Sequence, residues 1–143
     1  MVISRDAGLK VAFGENPKRV YEKQKKMPTT RMGTAAILRE YLVKAMNYMA
    51  KLEQGEKDPD KMPERDLRLE NLVRVLRREI PLRAHAHRAD DILTAIRIAK
   101  EFDIDITIEH CTEGHRIADF LLEENAKVIL GPLLSDRSKV ELK

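Results

Sequence analysis

The chain has 143 residues, of which 43% are hydrophobic and 36% are charged, and its formal net charge is +3. This length and composition fit one globular domain over residues 1–143 with a hydrophobic core, and they exclude a disordered chain. No apolar run reaches the roughly 20 residues that cross a bilayer, and residues 1–10 lack the apolar centre of a secretory signal. We therefore expect a cytoplasmic protein that does not bind a membrane.

The charge pattern limits the classes of partner that we expect, and the cysteine content indicates the redox compartment. Lysines and arginines alternate with carboxylates, and the chain has no Trp, whereas nucleic-acid binding needs clustered positive charge and stacking side chains. We therefore expect no nucleic-acid partner. Cys111 is the single cysteine, which excludes an internal disulfide and fits a reducing compartment.

The first half of the chain predicts one strand and two helices. The apolar run Gly8–Gly14 is typical of a buried strand, and the highly charged residues 18–28 predict a loop. Apolar residues then recur at three- and four-residue steps from Thr30 to Gln54, which predicts a long helix whose free amide groups are capped by Thr30. Pro63 suits the first turn of the second helix.

The second half of the chain alternates regularly between strand and helix patterns. Apolar runs predict strands over residues 80–85, 104–108 and 126–131, with helices that begin near Asp90 and Thr112. Apolar strands separated by helices indicate a parallel sheet with right-handed crossovers. A closed eight-stranded barrel needs roughly 250 residues. The four predicted strands therefore indicate an α/β fold that is either a small open domain or a section of a barrel.

Histidines occur where two neighbouring strands of this predicted sheet end. His85 and His87 close one strand, and His110 closes the next. The carboxyl ends of parallel strands meet at one edge, where barrel enzymes gather their chemistry. Imidazole is the commonest transition-metal ligand in proteins. We therefore predict that His85 and His110 are two ligands of one metal, the alternative being that each is a hydrogen-bonded core histidine.

The residues around these histidines resemble a known family. Residues 82–92 (LRAHAHRADDI) and 107–111 (TIEHC) resemble the amidohydrolase superfamily, and most closely its imidazolonepropionase-related and prolidase-like members. The resemblance extends over residues 80–134 and is weaker over 8–20. It implies a partial (β/α)8 TIM barrel covering about strands four to seven. It also implies one or two divalent metals, usually zinc, which activate water, with His85 and His110 as ligands from strands five and six.

The same resemblance implies a bridging metal ligand from the preceding strand, and two residues could supply it. Lys10 lies inside the first predicted strand and fits the pattern of a carboxylated lysine. Glu15 lies just beyond the end of that strand. Both remain candidates, and each could instead be an ordinary surface charge.

Three further residues near the predicted site were assigned by strand alternation. His87 shares its direction with His85 and could contact substrate, support a ligand or be purely structural. Arg83 shares the same parity and could hold a substrate carboxylate, or pair with an acidic residue of the protein. Glu109 is expected on the opposite face, toward the helices.

Together these observations predict a fragment of a metal-dependent amidohydrolase that hydrolyses a C–N bond in a cyclic amide or peptide-like small molecule. The resemblance also implies a His-x-His pair on strand one and an aspartate after strand eight, neither of which the chain supplies, so we expect the isolated chain to be inactive. Open sheet edges favour a homodimer or larger assembly. The alternative is a stand-alone α/β module that binds a small ligand or serves as a scaffold without catalysis.

Overall fold

The computed structural model describes residues 6–22 and 27–131. Three α-helices lie between its first two strands, and one α-helix separates each later pair of strands. The strands are β1 (Leu9–Ala12), β2 (Leu82–Ala86), β3 (Ile106–His110) and β4 (Lys127–Leu130). The helices are α1 (Glu15–Glu22), α2 (Arg31–Lys57), α3 (Leu67–Leu76), α4 (Ala89–Glu101) and α5 (Ala118–Glu123). Within these ranges, no helix combines the length and apolarity needed to cross a bilayer.

The four strands form one parallel sheet in the order β1-β2-β3-β4. Each strand therefore pairs with the next one along the chain, and the α/β prediction with four parallel strands is confirmed. A doubly wound sheet reverses its strand order partway across, whereas consecutive strands of a (β/α)8 barrel are sequential neighbours. The observed order is that of a barrel section.

The two faces of the sheet differ sharply in polarity. Leu82, Ala84 and Ala86 of β2 are fully buried, as is Ile108 of β3, because α4 packs across both strands. The opposite face, which we call the polar face, carries the alternate residues of each strand. Its members in β1, β2 and β3 include Lys10, Arg83, His85 and Glu109, with Lys10 paired in register to Arg83 and His85 to Glu109.

The long helix was predicted from its cap and its apolar stripe, and both are observed. The Thr30 hydroxyl accepts a hydrogen bond from the Gly33 amide at 2.9 Å, which satisfies one of the free amide groups of the first turn. Leu42 and Ala45 are fully buried against the remainder of the core. The helix ends at Lys57, three residues beyond its predicted end.

Two local predictions were wrong. Residues 15–22 form helix α1 where a loop was predicted from residue 18, because Pro17 lies in the first turn, where its missing N–H is not needed; residues 23–26 of that predicted loop lie outside the described residues. The second helix begins at Leu67 and not at Pro63. The carboxylate of Asp66 accepts hydrogen bonds from the Arg68 and Leu69 amides and caps the helix there.

A buried ion pair joins the amino-terminal ends of α2 and α4. Arg31 Nε lies 3.1 Å from Asp91 Oδ2, and the Asp91 side chain is 4% exposed. Burial raises the pKa of the Asp91 carboxyl above its ordinary value, and the Arg31 guanidinium only partly offsets that effect. Because the folded state binds this proton more tightly than the unfolded chain, ionisation of Asp91 lowers stability as pH rises through its folded pKa.

Replacement of the cation should therefore have a pH-dependent cost. We expect Arg31→Met to lower the free energy of unfolding by about 2 kcal/mol at neutral pH, because a buried carboxylate loses its partner. The loss should be smaller at acidic pH, because protonation neutralises the buried Asp91 carboxylate that has lost its cation. Urea unfolding at both pH values measures the difference, with Arg31→Met combined with Asp91→Asn as the control that should abolish it. Equal losses at the two pH values would contradict this account.

Candidate metal centre

Three imidazoles converge at the carboxyl ends of β2 and β3. His85, His87 and His110 each place a ring nitrogen so that the three atoms lie within 4.8 Å of one another. The ring centroids are 4.4 to 4.8 Å apart. His85 and His87 are 7% and 5% exposed, whereas His110 is half-buried, so the first two rings are shielded from bulk water.

The backbone of His110 explains how the third ring reaches the cluster. His110 pairs in register with Ala86, which faces the helices, so regular alternation would direct it away from His85. Its φ is +73°, and that of Cys111 is +46°, and both values lie in the left-handed region. Rotation about N–Cα carries the Cβ atom with it, so this conformation turns the imidazole onto the polar face.

The same feature corrects the prediction for Glu109. Its expected direction assumed that β3 alternates regularly through His110, so that the two residues would face opposite sides. The register partner of Glu109 is His85, and the carboxylate lies on the polar face with Arg83 and Lys10. Only the left-handed residue places Glu109 and His110 on the same side of the sheet.

Hydrogen bonds orient each imidazole. His110 Nδ1 lies 2.5 Å from the Gly131 carbonyl oxygen, and since a carbonyl only accepts, Nδ1 carries the proton and Nε2 is the nitrogen that can bind a cation. His87 Nδ1 lies 2.8 Å from the Thr112 hydroxyl. A ring N–H held by an oxygen of the protein is the usual arrangement of a metal-binding histidine.

Asn16 contacts the ring of His85 and was not identified from the sequence. Its side-chain nitrogen lies 3.0 Å from His85 Nε2, so the first turn of α1 abuts the cluster. An amide nitrogen only donates, which makes His85 Nε2 the acceptor in this arrangement. The available signal was the position of Asn16 just beyond the carboxyl end of β1, where barrel sites collect polar residues.

The donor set fits a divalent metal of the zinc type. Three imidazole nitrogens plus one open position is an established catalytic zinc arrangement, with Zn–N distances of about 2.0–2.1 Å. Two nitrogens on one tetrahedral zinc are about 3.4 Å apart by that geometry. The three ring nitrogens lie within 4.8 Å of one another. Small side-chain rotations would therefore bring them to the spacing of a zinc site without a rearrangement of the sheet.

Arg83 and Lys10 lie on the polar face but contact Glu109 instead of the imidazoles. Both form ion pairs with its carboxylate, which is 9% exposed, whereas the Lys10 side chain is 55% exposed. Partial burial lowers the pKa of the Lys10 amino group, and the positive charge of Arg83 lowers it further. The predicted pairing of Arg83 with an acidic residue is thus observed within the protein.

Glu15 and Cys111 do not belong to the histidine cluster. Glu15 is the first residue of α1 and directly precedes Asn16. The cluster that could hold a metal, among the described residues, consists of the three histidines. Cys111 is 2% exposed, and burial raises the pKa of its thiol. The sulfur is therefore protonated at neutral pH, and a protonated thiol is a poor metal ligand.

Comparison with known proteins gives two similarities and no matching family model. The chain is 54% identical to an amidohydrolase from Thermotoga maritima MSB8 whose crystal structure superposes with a TM-score of 0.95, over 99% of this chain and 37% of that one. The chain is also 28% identical over 122 residues to the amidohydrolase tasK of Hapsidospora irregularis, and the matched region covers 79% of this chain and 12% of that protein.

Both similarities support the amidohydrolase superfamily as the class to which the fold and the histidine cluster point. The chain spans little more than a third of the solved relative and about an eighth of the curated one. The activity, substrates and partners of such complete proteins are therefore proposals for this chain.

The ion pairs on the polar face lead to a stability prediction. We expect Glu109→Gln to lower the free energy of unfolding by about 2 kcal/mol, because the half-buried Arg83 guanidinium loses its anion. Lys10→Met should cost less than about 1 kcal/mol, since that side chain is exposed. Urea unfolding of the two variants measures both costs, and a cost for Glu109→Gln no larger than that for Lys10→Met would contradict this account.

Proposed function

We propose that this chain contributes a divalent-metal centre to a hydrolase of the amidohydrolase type, acting on a C–N bond of a cyclic amide or peptide-like small molecule. The observation that carries the proposal is the convergence of His85, His87 and His110 within 4.8 Å. The names of the two similar proteins support the same class. Zinc is the proposed metal, with one or two ions in the complete enzyme.

The residues of this chain would bind and orient the reacting groups. His85 and His110 would hold the ion, and the Gly131 carbonyl keeps the proton of His110 on Nδ1. The chemistry that such an ion supplies when bound is Lewis-acid activation of water at neutral pH. His87 could serve as a third ligand or contact the substrate, and the burial of His85 and His87 limits their contact with bulk water.

Arg83 is the proposed contact for a substrate carboxylate. It lies two residues before His85 on the same face, which is one strand repeat, or about 6.6 Å along the strand. Its ion pair with Glu109 would hold the guanidinium in place for a second, bidentate contact. A substrate whose negative group is one such repeat from the scissile bond would fit this spacing.

The remaining parts of the proposal concern the bridging ligand and the context of the chain. Lys10 and Glu15 both remain candidates for the bridging ligand, and the contact between Asn16 and His85 places the start of α1 close to the metal ligands. The resemblance at residues 82–92 and 107–111 supports our proposal that the chain is related to the imidazolonepropionase-related and prolidase-like members. We expect the chain alone to be inactive and to reside in the cytoplasm, where Cys111 stays reduced.

Metal binding tests the proposal directly. We expect the purified chain to bind about one zinc ion, and the combined His85→Ala and His110→Ala variant to bind more than about 100-fold more weakly, since loss of ligands exceeds the roughly 10- to 100-fold cost of losing an outer partner. Competition with a chromophoric chelator measures both affinities. His115→Ala is the matched control, because His115 is exposed and bonds the Thr112 carbonyl outside the cluster. Zinc binding that is absent, or unaffected by the double variant, would favour a small-ligand or scaffold module.

We also propose that the chain self-associates. In the described part of the chain, β1 and β4 are the edges of the sheet. An open groove of about 710 Å³ lies beside β4, lined in part by Leu122, Val128 and Leu130, which are 81%, 41% and 65% exposed. Contact between two polar faces would bring the positive charges of Lys10 and Arg83 from two chains together. The apolar groove beside β4 is therefore the better surface for association.

Solution mass tests this assembly. We expect a dimer or larger species by size-exclusion chromatography with light scattering at low micromolar concentration. Leu130→Lys should shift the protein toward monomer, because a charge enters the apolar contact. Met46→Lys is the control on the outer side of α2, where Met46 is 46% exposed, and should leave the mass unchanged. A wild-type chain that is monomeric under these conditions contradicts the proposal.

A further inference from the structure

We propose that Thr112 is a positioning residue that fixes the tautomer of His87 and thereby makes His87 the third nitrogen donor of the cluster. This inference rests on the proposed metal centre. The Thr112 hydroxyl lies 2.8 Å from His87 Nδ1, and the His87 ring is buried at 5% exposure. A hydroxyl can accept from Nδ1–H or donate to a bare Nδ1, and the two cases give opposite chemistry.

Only one of these cases leaves a useful lone pair. If Thr112 accepts, the ring proton is on Nδ1 and Nε2 can bind a cation. If Thr112 donates, the proton is on Nε2 and that nitrogen cannot bind a metal. The tautomer at His87 therefore decides whether the cluster has three donors or two.

The neighbouring ring favours the first case. His110 is held at Nδ1 by the Gly131 carbonyl, an acceptor that fixes the proton there. The rings of His87 and His110 are nearly parallel, with an interplanar angle of 15° and centroids 4.8 Å apart. Both rings therefore contact a protein oxygen at Nδ1, and if Thr112 accepts as Gly131 does, both keep a lone pair on Nε2.

The loop that carries Thr112 is fixed to the backbone around His87, so the hydroxyl does not depend on the ring for its position. The Cys111 amide donates to the Ala86 carbonyl at 3.0 Å, and the Glu113 amide donates to the His87 carbonyl at 2.9 Å. The Glu113 carboxylate also accepts from the Ala89 amide at 2.9 Å. These bonds on either side of Thr112 hold its side chain against the imidazole.

The metal-free chain provides the first test. Long-range ¹H–¹⁵N correlation of the histidine rings reports which nitrogen carries the proton, and we expect the Nδ1–H form at His87 in the wild-type chain. Thr112→Val keeps the side-chain shape and removes the hydroxyl, so it should give a mixture of tautomers, whereas Thr112→Ser should keep the wild-type pattern. An Nε2–H tautomer at His87 in the wild-type chain would overturn the proposal.

Metal affinity provides the second test. Zinc binding to Thr112→Val should weaken by about 10- to 100-fold, the usual effect of losing an outer hydrogen bond to a ligand, with recovery in Thr112→Ser. The visible spectrum of the cobalt-loaded chain should change in the valine variant and return in the serine variant. Thr112→Ala provides a second variant without the hydroxyl if valine disturbs folding, which thermal unfolding monitors.

The outcomes separate this inference from the proposed function. A wild-type chain that binds no zinc overturns the metal centre, and the role of His87 as a donor is lost with it. A wild-type chain that binds zinc as tightly as its folded Thr112→Val and Thr112→Ala variants overturns only the role of Thr112.

Discussion

The left-handed backbone at the end of β3 is the constraint on which the arrangement of the site depends. Two consecutive residues other than glycine, His110 and Cys111, have positive φ, and such residues cost of order 1–3 kcal/mol each unless the surroundings hold them. The surroundings do so here through two bonds, from the Cys111 amide to Ala86 and from the His110 ring to Gly131. Without this turn, the third imidazole would face the helices, and β2 alone would supply the site.

The sheet has an apolar face that α4 covers and a polar face that carries the candidate site. Leu82 and Ile108 are fully buried on the side that α4 covers, and this apolar layer supplies the burial that stabilises the domain. The polar face carries the imidazoles and the ion pairs of Glu109. Because the apolar layer fixes the register of β2 and β3, the positions of His85 and His87 follow from residues that never touch the site.

The sequence predicted the strands, the long helix and the histidines because those features depend on local periodicity. The hydrophobic spacing after Thr30 and the alternation in β2 are visible in a short window of residues. The predicted direction of Glu109 was wrong because the positive φ of His110 interrupts the alternation of β3. A histidine at that position does not indicate a left-handed backbone. Helix α1 was missed because its charged sequence resembles a loop, although Pro17 suits a first helical turn.

The bond between Asn16 and His85 joins residues 69 positions apart, so a short sequence window shows Asn16 after β1 but not its partner. The bond also links the docking of α1 to the binding of any cation at His85. A cation that approaches His85 through Nε2 must displace the Asn16 amide, so its affinity is the difference between the two interactions. Reciprocity then requires that whatever loosens α1 from the sheet strengthens uptake at that nitrogen, and that uptake in turn loosens α1. Docking of the first helix would thus compete with a cation for His85 Nε2.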